Sequence, residues 1–597
     1  MSPAPDLFEQ GTPLWFGPAG RPLAGWLHRP QGARCKGAVV LCPPLGVEHT
    51  SAHSTFRRLA VTLAHKGLVA IRFDYDGTGD SAGSDADGAR VRAWIASVEH
   101  ATRLARESGA PAIGVVGMRM GALLGAAAAQ RIGPLHALVL WDPCVTGRAF
   151  LREQRVLHGF DTDDSQGASG RVEIPGYVYH AETVADLQTL AIGDLGPHLA
   201  ARTLVLTRPD RAHTTAGMAA PRGPEASSIE WREALGQAAL LDVDPFHHVV
   251  PTETLETVAD WLSEVFGDER RPCAPMSSLK TRLPAEVLVE RRGPQGIWER
   301  PLWLGEVGLF GIMTSPGPSQ RSFAPTVLFL NSGYERHIGP NRLWVALARQ
   351  WASWGITSVR LDLSGLGESP VRPGQHPQVV RAPEAFDDVV EAAAAVSPGD
   401  PRNVILVGLC SGAYQALESG LGLHPRAVCA INPLLRFAPP ELATGSIDPR
   451  RRLCRPPGAA ASAYRRLPLP ELRRRLRPVV WAWANRMRRA SSPIHWLEEL
   501  AEAGVDTVLC CRSDEATPLL RGSWPAVRRL RRSGRLRIEM LDDADHALLR
   551  AHQRQRVTDV LTRHLVERFG ASALEGIAKE HDEAARAAVG ATDEVVA

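Results

Sequence analysis

The chain has 597 residues, a formal net charge of +3, 44% hydrophobic residues and 22% charged residues. This composition is that of a soluble globular protein and excludes fibrous and disordered classes, and the small net charge gives no general case for nucleic acid binding. A chain of this length exceeds what one hydrophobic core supports, so several domains or two large ones are expected.

The cysteines and the N-terminal segment bear on location. Nine cysteines, an odd number scattered along the chain, predict a reducing compartment without a disulfide framework, and their spacing does not match a zinc site. The first residues lack the basic and apolar regions of a signal peptide, and no apolar run approaches the about 20 residues of a membrane span. We expect a cytoplasmic protein with no membrane span and no cofactor.

The first predicted elements alternate between strands and helices. A β-hairpin leads to the apolar strand Gly37–Leu41, and a later strand ends in Arg72-Phe-Asp-Tyr-Asp-Gly-Thr-Gly-Asp-Ser81. A helix, the segment Gly117-Met-Arg-Met-Gly121 and the strand Ala137–Trp141 follow. Such alternation predicts a parallel sheet covered by helices on both faces.

The same order of segments recurs later in the chain. Pro13-Leu-Trp-Phe-Gly17 returns 288 residues later as Pro301-Leu-Trp-Leu-Gly305, and the Arg72–Ser81 segment returns at the same offset as Arg360–Ser369. We therefore predict two copies of one domain, at residues 1–267 and 285–570. Residues 268–284 form the predicted linker, and residues 571–597 an Ala- and Glu-rich tail.

The second copy contains a cysteine in a distinctive turn. Val404-Ile-Leu-Val predicts a buried strand, Ala413 begins a predicted helix, and Gly408-Leu-Cys410-Ser-Gly412 joins them. Gly-x-Cys-x-Gly between a strand and a helix has the form of a nucleophile elbow, in which the central residue is strained and its side chain is presented above the sheet. If Ser411 were the nucleophile instead, Leu409 and Ala413 would occupy the glycine positions. An ordinary buried cysteine would leave both glycines without a reason.

Both copies resemble the α/β-hydrolase superfamily, and more narrowly its serine-aminopeptidase-like branch. The resemblance rests on the two elbows and on the strand-end Asp-x-x-Gly-x-Gly segments. The elbow cysteine is also similar to that of dienelactone hydrolase and of certain assembly-line thioesterases. The resemblance implies an α/β fold class with two tandem α/β-hydrolase domains, each a mostly parallel sheet with helices on both faces and a helical cap. In the second copy the cap is expected at about residues 433–493.

The resemblance also implies a catalytic triad in the order nucleophile, acid, histidine. After Cys410, the acid is expected at the end of the strand Thr507–Cys511, where Asp514 is the first candidate and Glu515 the second. His546, after the predicted last strand, is the candidate base. The alternative interpretation of His546 is a surface histidine in an acidic turn. The expected oxyanion donors are the N–H groups of Ser411 and of Gly333 or Tyr334.

The first copy has arginine at the centre of its elbow. Arg119 is permanently protonated and cannot attack a carbonyl group, so this copy is predicted to be a pseudoenzyme half. The remaining candidates of its degenerate site are Asp210 and one of His247 and His248. Because a buried arginine needs a partner, we expect Arg119 either to pair with Asp210 or to bind an anion, with pairing favoured.

The predicted cap of the second copy is strongly basic. Thirteen arginines lie between Arg450 and Arg489, against the single acid Glu471. A solvated helix surface is the ordinary explanation of such a run. Concentrated at the entrance to a site, however, the charge would attract phosphates or an acidic partner.

A cysteine nucleophile favours thioester chemistry, because exchange of one thioester for another costs little. The leading hypothesis is an acyl-transfer enzyme of secondary metabolism that forms an S-acyl-Cys410 intermediate. Its acyl donor would be a thioester of CoA or of an acidic carrier protein docked at the cap, and it would act as an acyltransferase, a cyclase or a thioesterase. The alternatives are a small-molecule ester or lactone hydrolase of the dienelactone-hydrolase type, and a non-catalytic scaffold.

Overall fold

The computed structural model describes residues 11–157, 171–194, 199–211, 229–243, 248–273, 284–292, 295–317, 325–433 and 493–569. For residues 157, 194, 292, 295, 514, 515 and 517–522 only the backbone is described. These residues form two α/β bodies, each built around a large mixed sheet.

The first copy contains an eight-stranded sheet in the order β1-β2-β5-β4-β6-β7-β10-β11. β1, β2 and β5 pair antiparallel, and all other neighbours in this sheet are parallel. The strands, with two short pairs β3/β12 and β8/β9 outside this sheet, are β1 (Thr12–Phe16), β2 (Leu23–His28), β3 (Arg34–Cys35), β4 (Gly37–Cys42), β5 (Leu68–Phe73), β6 (Ile113–Met118), β7 (Leu135–Trp141), β8 (Val172–Ile174), β9 (Tyr177–Tyr179), β10 (Ala200–Thr207), β11 (Ile229–Glu233) and β12 (Arg271–Pro272). The helices are α1 (Val47–His65), α2 (Arg90–Glu107), α3 (Met120–Ile132), α4 (Gly147–Leu157), α5 (Ala181–Thr189), α6 (Gln237–Leu241) and α7 (Thr252–Phe266), with a 3-10 turn at Ile192–Asp194.

The second copy repeats this strand order and adds one edge strand. Its nine-stranded sheet has the order β13-β14-β15-β17-β16-β18-β19-β20-β21. The strands are β13 (Val287–Arg292), β14 (Gln295–Leu304), β15 (Leu309–Ser315), β16 (Thr326–Phe329), β17 (Ser358–Leu361), β18 (Val404–Leu409), β19 (Ala427–Ile431), β20 (Asp506–Cys511) and β21 (Leu536–Met540). The helices are α8 (Leu343–Ala352), α9 (Ala385–Val396), α10 (Ser411–Leu423), α11 (Pro493–Glu502), α12 (Ser513–Arg532) and α13 (Ala551–Phe569), with a 3-10 turn at Pro340–Arg342.

The register of the central strands repeats as well. Val39 lies opposite Ala70 in the first sheet, and Val327 lies opposite Ser358 in the second, so both partners are displaced by the offset found in the sequence. The central strands β4, β6 and β18 are buried along their whole length, as expected for parallel strands covered on both faces. The expected α/β fold class, with mostly parallel sheets in two separate bodies, is confirmed; the domain boundaries stay predictions.

One expectation about the first copy needs correction. Cys35 and Cys273 form a disulfide, although a chain without disulfides was expected. Residues 271–272, inside the predicted linker, pair with β3 next to this bond. Sequence could not reveal this bond, because its cysteines are 238 residues apart.

The predicted caps are only partly described. Between β7 and β10 the first copy carries α4, the β8/β9 hairpin and α5, so its insertion is not wholly helical. The arginine-rich cap of the second copy and the C-terminal tail lie outside the described residues. No helix in the described part of the chain has the length and apolarity needed to cross a membrane.

The two bodies are joined by buried ion pairs that repeat the internal symmetry. Arg72 makes a bidentate pair with Glu368, at 2.8 and 2.9 Å, and Arg360, the counterpart of Arg72, pairs with Asp80, the counterpart of Glu368. Each copy's strand-end arginine therefore reaches the acidic residue that closes the other copy's Asp-x-x-Gly-x-Gly loop.

His337 lies at the centre of this interface and is fully buried. Its Nδ1 lies 2.6 Å from Asp362 and its Nε2 lies 2.7 Å from Asp80 of the first copy. Burial alone would lower the pKa of His337, but the charges of Asp80 and Asp362 outweigh this effect and raise the pKa to about 9. The imidazolium therefore links the two bodies as a buried cation.

Apolar contacts surround the charged centre. The Trp26 ring of the first copy packs against Phe310 at 4.9 Å and against Trp303 at 6.3 Å, both in the second copy. Trp15 and Ala82 share a second buried cluster with Val289 and Ile297. The ion pairs are consequently shielded from water on the side of the sheet edges.

Glu368→Gln is expected to lower the free energy of unfolding by about 3–5 kcal/mol, because the Arg72 guanidinium is left buried beside a neutral amide. Urea denaturation followed by tryptophan fluorescence measures this loss. The exposed pair Lys66–Asp260 supplies the control, since Asp260→Asn is expected to change stability by less than about 1 kcal/mol. Equal losses in the two variants would contradict a special role of the interface pair.

The raised pKa of His337 predicts a pH dependence of stability. Its ordinary value is 6.5, so the stabilisation is fully present below about pH 6.5 and is lost as the pH rises through about 9. Between these limits the wild type should lose about 3 kcal/mol that His337→Gln does not lose. Denaturation at a series of pH values checks this difference, with His552→Gln at the exposed surface as control. Parallel pH profiles of wild type and His337→Gln would show that no such proton is bound.

Candidate functional site

Both elbows have the same backbone geometry. Cys410 joins β18 to α10 with φ 55° and ψ −112°, and Arg119 joins β6 to α3 with φ 54° and ψ −121°. The N–H group of each donates to the neighbouring strand, Cys410 to Ile431 O and Arg119 to Trp141 O, both at 3.0 Å. A positive φ is unfavourable for residues other than glycine, so both copies retain the strain that a nucleophile elbow requires.

The elbow glycines are required by close packing. A Cβ atom on Gly408 would lie 2.2 Å from the carbonyl carbon of Gly412, and one on Gly412 would lie 2.4 Å from Asn331 O. In the first copy, a Cβ atom on Gly121 would lie 2.2 Å from Cys42 O. These distances are far below any normal contact, so only glycine allows the helix, the strand and the loop after β4 or β16 to approach one another.

Cys410 stands at the tip of its elbow but is only 6% exposed. It belongs to an apolar cluster with Leu541, Ala544 and Leu548. Ser411, the rival nucleophile, is the first residue of α10, and its Oγ accepts a hydrogen bond from Gly333 N–H at 2.8 Å. Cys410 therefore occupies the strained position at the tip of the elbow, whereas Ser411 is already part of the helix.

The loop after β16 lies against the elbow, as the predicted oxyanion donors require. Gly333, at φ 58°, uses its N–H for the bond to Ser411. Within the described ranges, the N–H groups of Ser411 and Tyr334 have no hydrogen-bond partner. Of the three predicted donors, these two are thus available, and Ser411 N–H also lies at the positive end of a helix dipole.

The loop that carries His546 is held next to the elbow by its backbone. Asn432 follows β19, whose Ile431 accepts the Cys410 N–H, and Asn432 Nδ2 donates to His546 O at 3.1 Å. Asp545 shapes the same loop by accepting from Ala547 N–H at 3.0 Å and from Leu549 N–H at 3.1 Å. The predicted base is therefore on a loop tied to the strand that adjoins the elbow.

The position of the predicted acid is described through its backbone. Residues 514 and 515 lie in the first turn of α12, directly after β20, and their side chains are outside the description. Ser513 N–H donates to Asp542, at 3.0 Å, on the loop that leads to His546. The strand ends expected to supply acid and base are thus adjacent.

The first copy supports the His546 loop of the second. Gly176, at the turn of the β8/β9 hairpin, donates its N–H to Leu549 O at 2.9 Å, and Glu173 accepts from Ala551 N–H. Asn341 donates to Ala547 O at 3.0 Å and packs against Gly176, where a Cβ atom would lie 2.1 Å from its Oδ1. The first copy therefore contributes to the position of the candidate base.

Arg119 is paired, but its partners differ from the expected one. Its guanidinium binds Glu48 at 3.3 Å, lies 3.5 Å from Asp142 and pairs with Glu153. Asp210 instead binds Arg208, at 2.6 Å, so the expected Arg119–Asp210 pair is wrong. An arginine only two positions away in sequence takes the Asp210 carboxylate. His247 lies outside the described residues, and His248 packs its ring on Tyr334 of the second copy, at 5.7 Å.

Several positioning residues were missed by sequence reasoning. Asn432 and its counterpart Asp142 both directly follow an apolar strand and have φ 44°, a signal that was visible as a polar residue at a strand end. Asp362 accepts from Asn331 Nδ2 at 2.8 Å and from His337 N–H at 2.7 Å, so it fixes the loop after β16. The first aspartate of this Asp-x-x-Gly-x-Gly segment therefore has a structural role.

Gly176→Ala should loosen the His546 loop, because the added Cβ atom collides with Asn341 and because φ is +77° there. Hydrogen exchange of peptides covering residues 541–551 is expected to accelerate about tenfold, the effect of about 1.4 kcal/mol of lost local stability. Gly32→Ala is the matched control, since Gly32 also has a positive φ in the first copy but open space around it. Unchanged exchange in Gly176→Ala would disprove the support.

Comparison with known proteins identifies the fold of the second copy. Residues 327–560 match the sequence profile of the alpha/beta hydrolase family, and no curated protein matches the chain. Among solved structures, Est1E from Butyrivibrio proteoclasticus is 14% identical, with 43% of this chain and 100% of that chain covered and a TM-score of 0.34. A putative dienelactone hydrolase from Klebsiella pneumoniae subsp. pneumoniae MGH 78578 is 13% identical, with 46% and 99% covered and a TM-score of 0.29. The similarity in sequence to this family therefore lies within the second copy, over residues 327–560.

Proposed function

We propose that the second copy is an acyl-transfer enzyme whose nucleophile is Cys410. The observation that carries the proposal is the sulfur-bearing residue at the strained tip of an elbow, between β18 and the N-terminus of α10. A thiolate at this position faces the N–H groups that would stabilise an oxyanion. The loop of His546, tied to the adjoining strand end, supplies the general base.

The proposed reaction begins with an acyl thioester of CoA or of a carrier protein. Cys410 Sγ, deprotonated by His546, attacks the thioester carbonyl and forms a tetrahedral oxyanion at the N–H groups of Ser411 and Tyr334. The bond from the carbonyl carbon to the departing sulfur then breaks, the proton on His546 passes to that sulfur, and S-acyl-Cys410 remains. Water or an amine, alcohol or thiol takes the acyl group in a second step, so that thioesterase and acyltransferase or cyclase activities share one intermediate. Asp514, or Glu515 behind it, would orient His546.

A non-catalytic scaffold is the second candidate, and the burial of Cys410 favours it. At 6% exposure and among apolar neighbours, a thiol can be an inert part of the core. The two candidates differ in the chemistry they predict for the sulfur, since only an active site contains a base that raises its reactivity.

Incubation with octanoyl-CoA is expected to increase the intact mass of the wild type by one octanoyl group, and Cys410→Ala should abolish this adduct. Ser411→Ala is expected to keep it, which separates the two candidate nucleophiles. His546→Ala should slow alkylation by iodoacetamide at neutral pH by about a hundredfold or more, as expected for loss of a general base. Cys144→Ala, which removes a buried cysteine of the first copy, is the matched control and should leave both readouts unchanged.

The outcomes separate the candidates. An absent adduct, or one that persists in Cys410→Ala, contradicts acyl transfer through this residue. Equal alkylation rates in wild type and His546→Ala favour the scaffold. Turnover of simple aryl esters without transfer from thioesters would favour the ester or lactone hydrolase.

A further inference from the structure

A pocket adjoins the elbow of the first copy. It is lined among others by Glu48, Ser51, Arg119, Gln154 and Asp242. Arg119 reaches it from the elbow tip, the position that Cys410 holds in the second copy. The pocket is therefore separate from the site proposed for acyl transfer, and the inference drawn from it does not rest on that proposal.

The charges around this pocket are dominated by carboxylates. Three guanidinium groups face five carboxylates, and the contacts are those of Arg119 with Glu48, Asp142 and Glu153, of Arg208 with Asp210 and Asp242, and of Arg211 with Glu153 and Asp242. The site has two more carboxylates than guanidinium groups. Arg119, which could have held an anion, is already neutralised by three carboxylates.

Two buried acceptor atoms in the pocket lack partners. Glu48 is 6% exposed and Gln154 is 1% exposed, and the two side chains touch through a hydrogen bond from Gln154 Nε2 to Glu48 Oε1 at 3.1 Å. Glu48 Oε2 and Gln154 Oε1 are buried without a hydrogen bond. Leaving such atoms unpaired is costly, so the arrangement is suited to a group that brings several N–H donors.

The chemistry of the required ligand follows from these two features. It must carry positive charge, to balance the excess carboxylates, and N–H donors on one compact end, to satisfy adjacent acceptors. In the described part of the chain, no group of three or more His, Cys, Asp or Glu side chains could hold a metal ion. We propose that the first copy binds a small organic cation, a primary ammonium or a guanidinium, through Glu48 and Gln154 in this pocket.

The proposal reverses the anion binding that an arginine at the elbow suggests. The guanidinium of Arg119 serves to hold Glu48, and Glu48 Oε2 is the atom offered to the ligand. Burial raises the pKa of Glu48 to about 7, although the charge of Arg119 acts in the opposite direction. A bound cation would favour the ionised carboxylate in the same way.

Calorimetric titration of the full chain tests the proposal with methylguanidinium and n-propylammonium chlorides. The expected dissociation constants are on the order of 1 mM or tighter, within reach of ligands of four or five heavy atoms. N-methylurea, a neutral analogue of methylguanidinium, and inorganic phosphate are expected to bind at least tenfold more weakly. Cys410→Ala should bind the cations as the wild type does, because the pocket is in the first copy.

Variants locate the site. Glu48→Gln should weaken cation binding at least tenfold, whereas Asp210→Asn, which changes the cluster charge equally but leaves Glu48 intact, should stay within about twofold. If Glu48→Gln does not fold, Gln154→Leu removes the second acceptor and should weaken binding about threefold or more. No saturable binding of either cation, equal binding of N-methylurea, tighter binding of phosphate, or full affinity in the folded Glu48→Gln variant would each overturn the proposal.

Discussion

The exchange of ion pairs between the two copies is the interaction on which the architecture depends. Arg72 and Arg360 each lie near the end of a central strand of one sheet, and each pairs with a carboxylate in the loop of the other copy, Arg360 in addition to Glu299 of its own copy. A buried guanidinium cannot be deprotonated and is strongly destabilising without a partner. Separation of the two bodies would therefore remove carboxylate partners from these guanidinium groups. The aromatic contacts around Trp26 add buried apolar area to the same interface.

The two elbows show how the same backbone turn can be kept while the residue at its tip and the surrounding groups differ. The φ angles of Arg119 and Cys410 are 54° and 55° and their ψ angles −121° and −112°, and the glycines on either side are required by similar close contacts. What differs is the set of groups that faces the tip. Carboxylates from α1, from the end of β7 and from α4 converge on Arg119, whereas the tip at Cys410 meets the apolar side chains of the loops after β21.

Much of the fold could be predicted from sequence because its signals are local or periodic. The offset between Arg72–Ser81 and Arg360–Ser369 anticipated two sheets of the same strand order, and Gly-x-Cys-x-Gly anticipated the elbow. Contacts between distant segments left no comparable signal. The disulfide of Cys35, the partners of Arg72 and the contact of Gly176 with Leu549 each join segments more than 200 residues apart. The expected Arg119–Asp210 pair was wrong for a different reason, since charge alone did not indicate that Arg208 competes for the same carboxylate.

Contacts of the first copy, including its β8/β9 hairpin, bear on whether the second copy can be expressed alone. Expressed alone, the half that bears Cys410 would lose the turn of Gly176 beside its histidine loop. It would also expose Arg336, His337 and Arg360 without the first-copy carboxylates that they contact. Such a fragment would expose a cationic and partly aromatic surface where the first copy had packed. The half with sulfur at its elbow therefore depends on the half without it for these contacts.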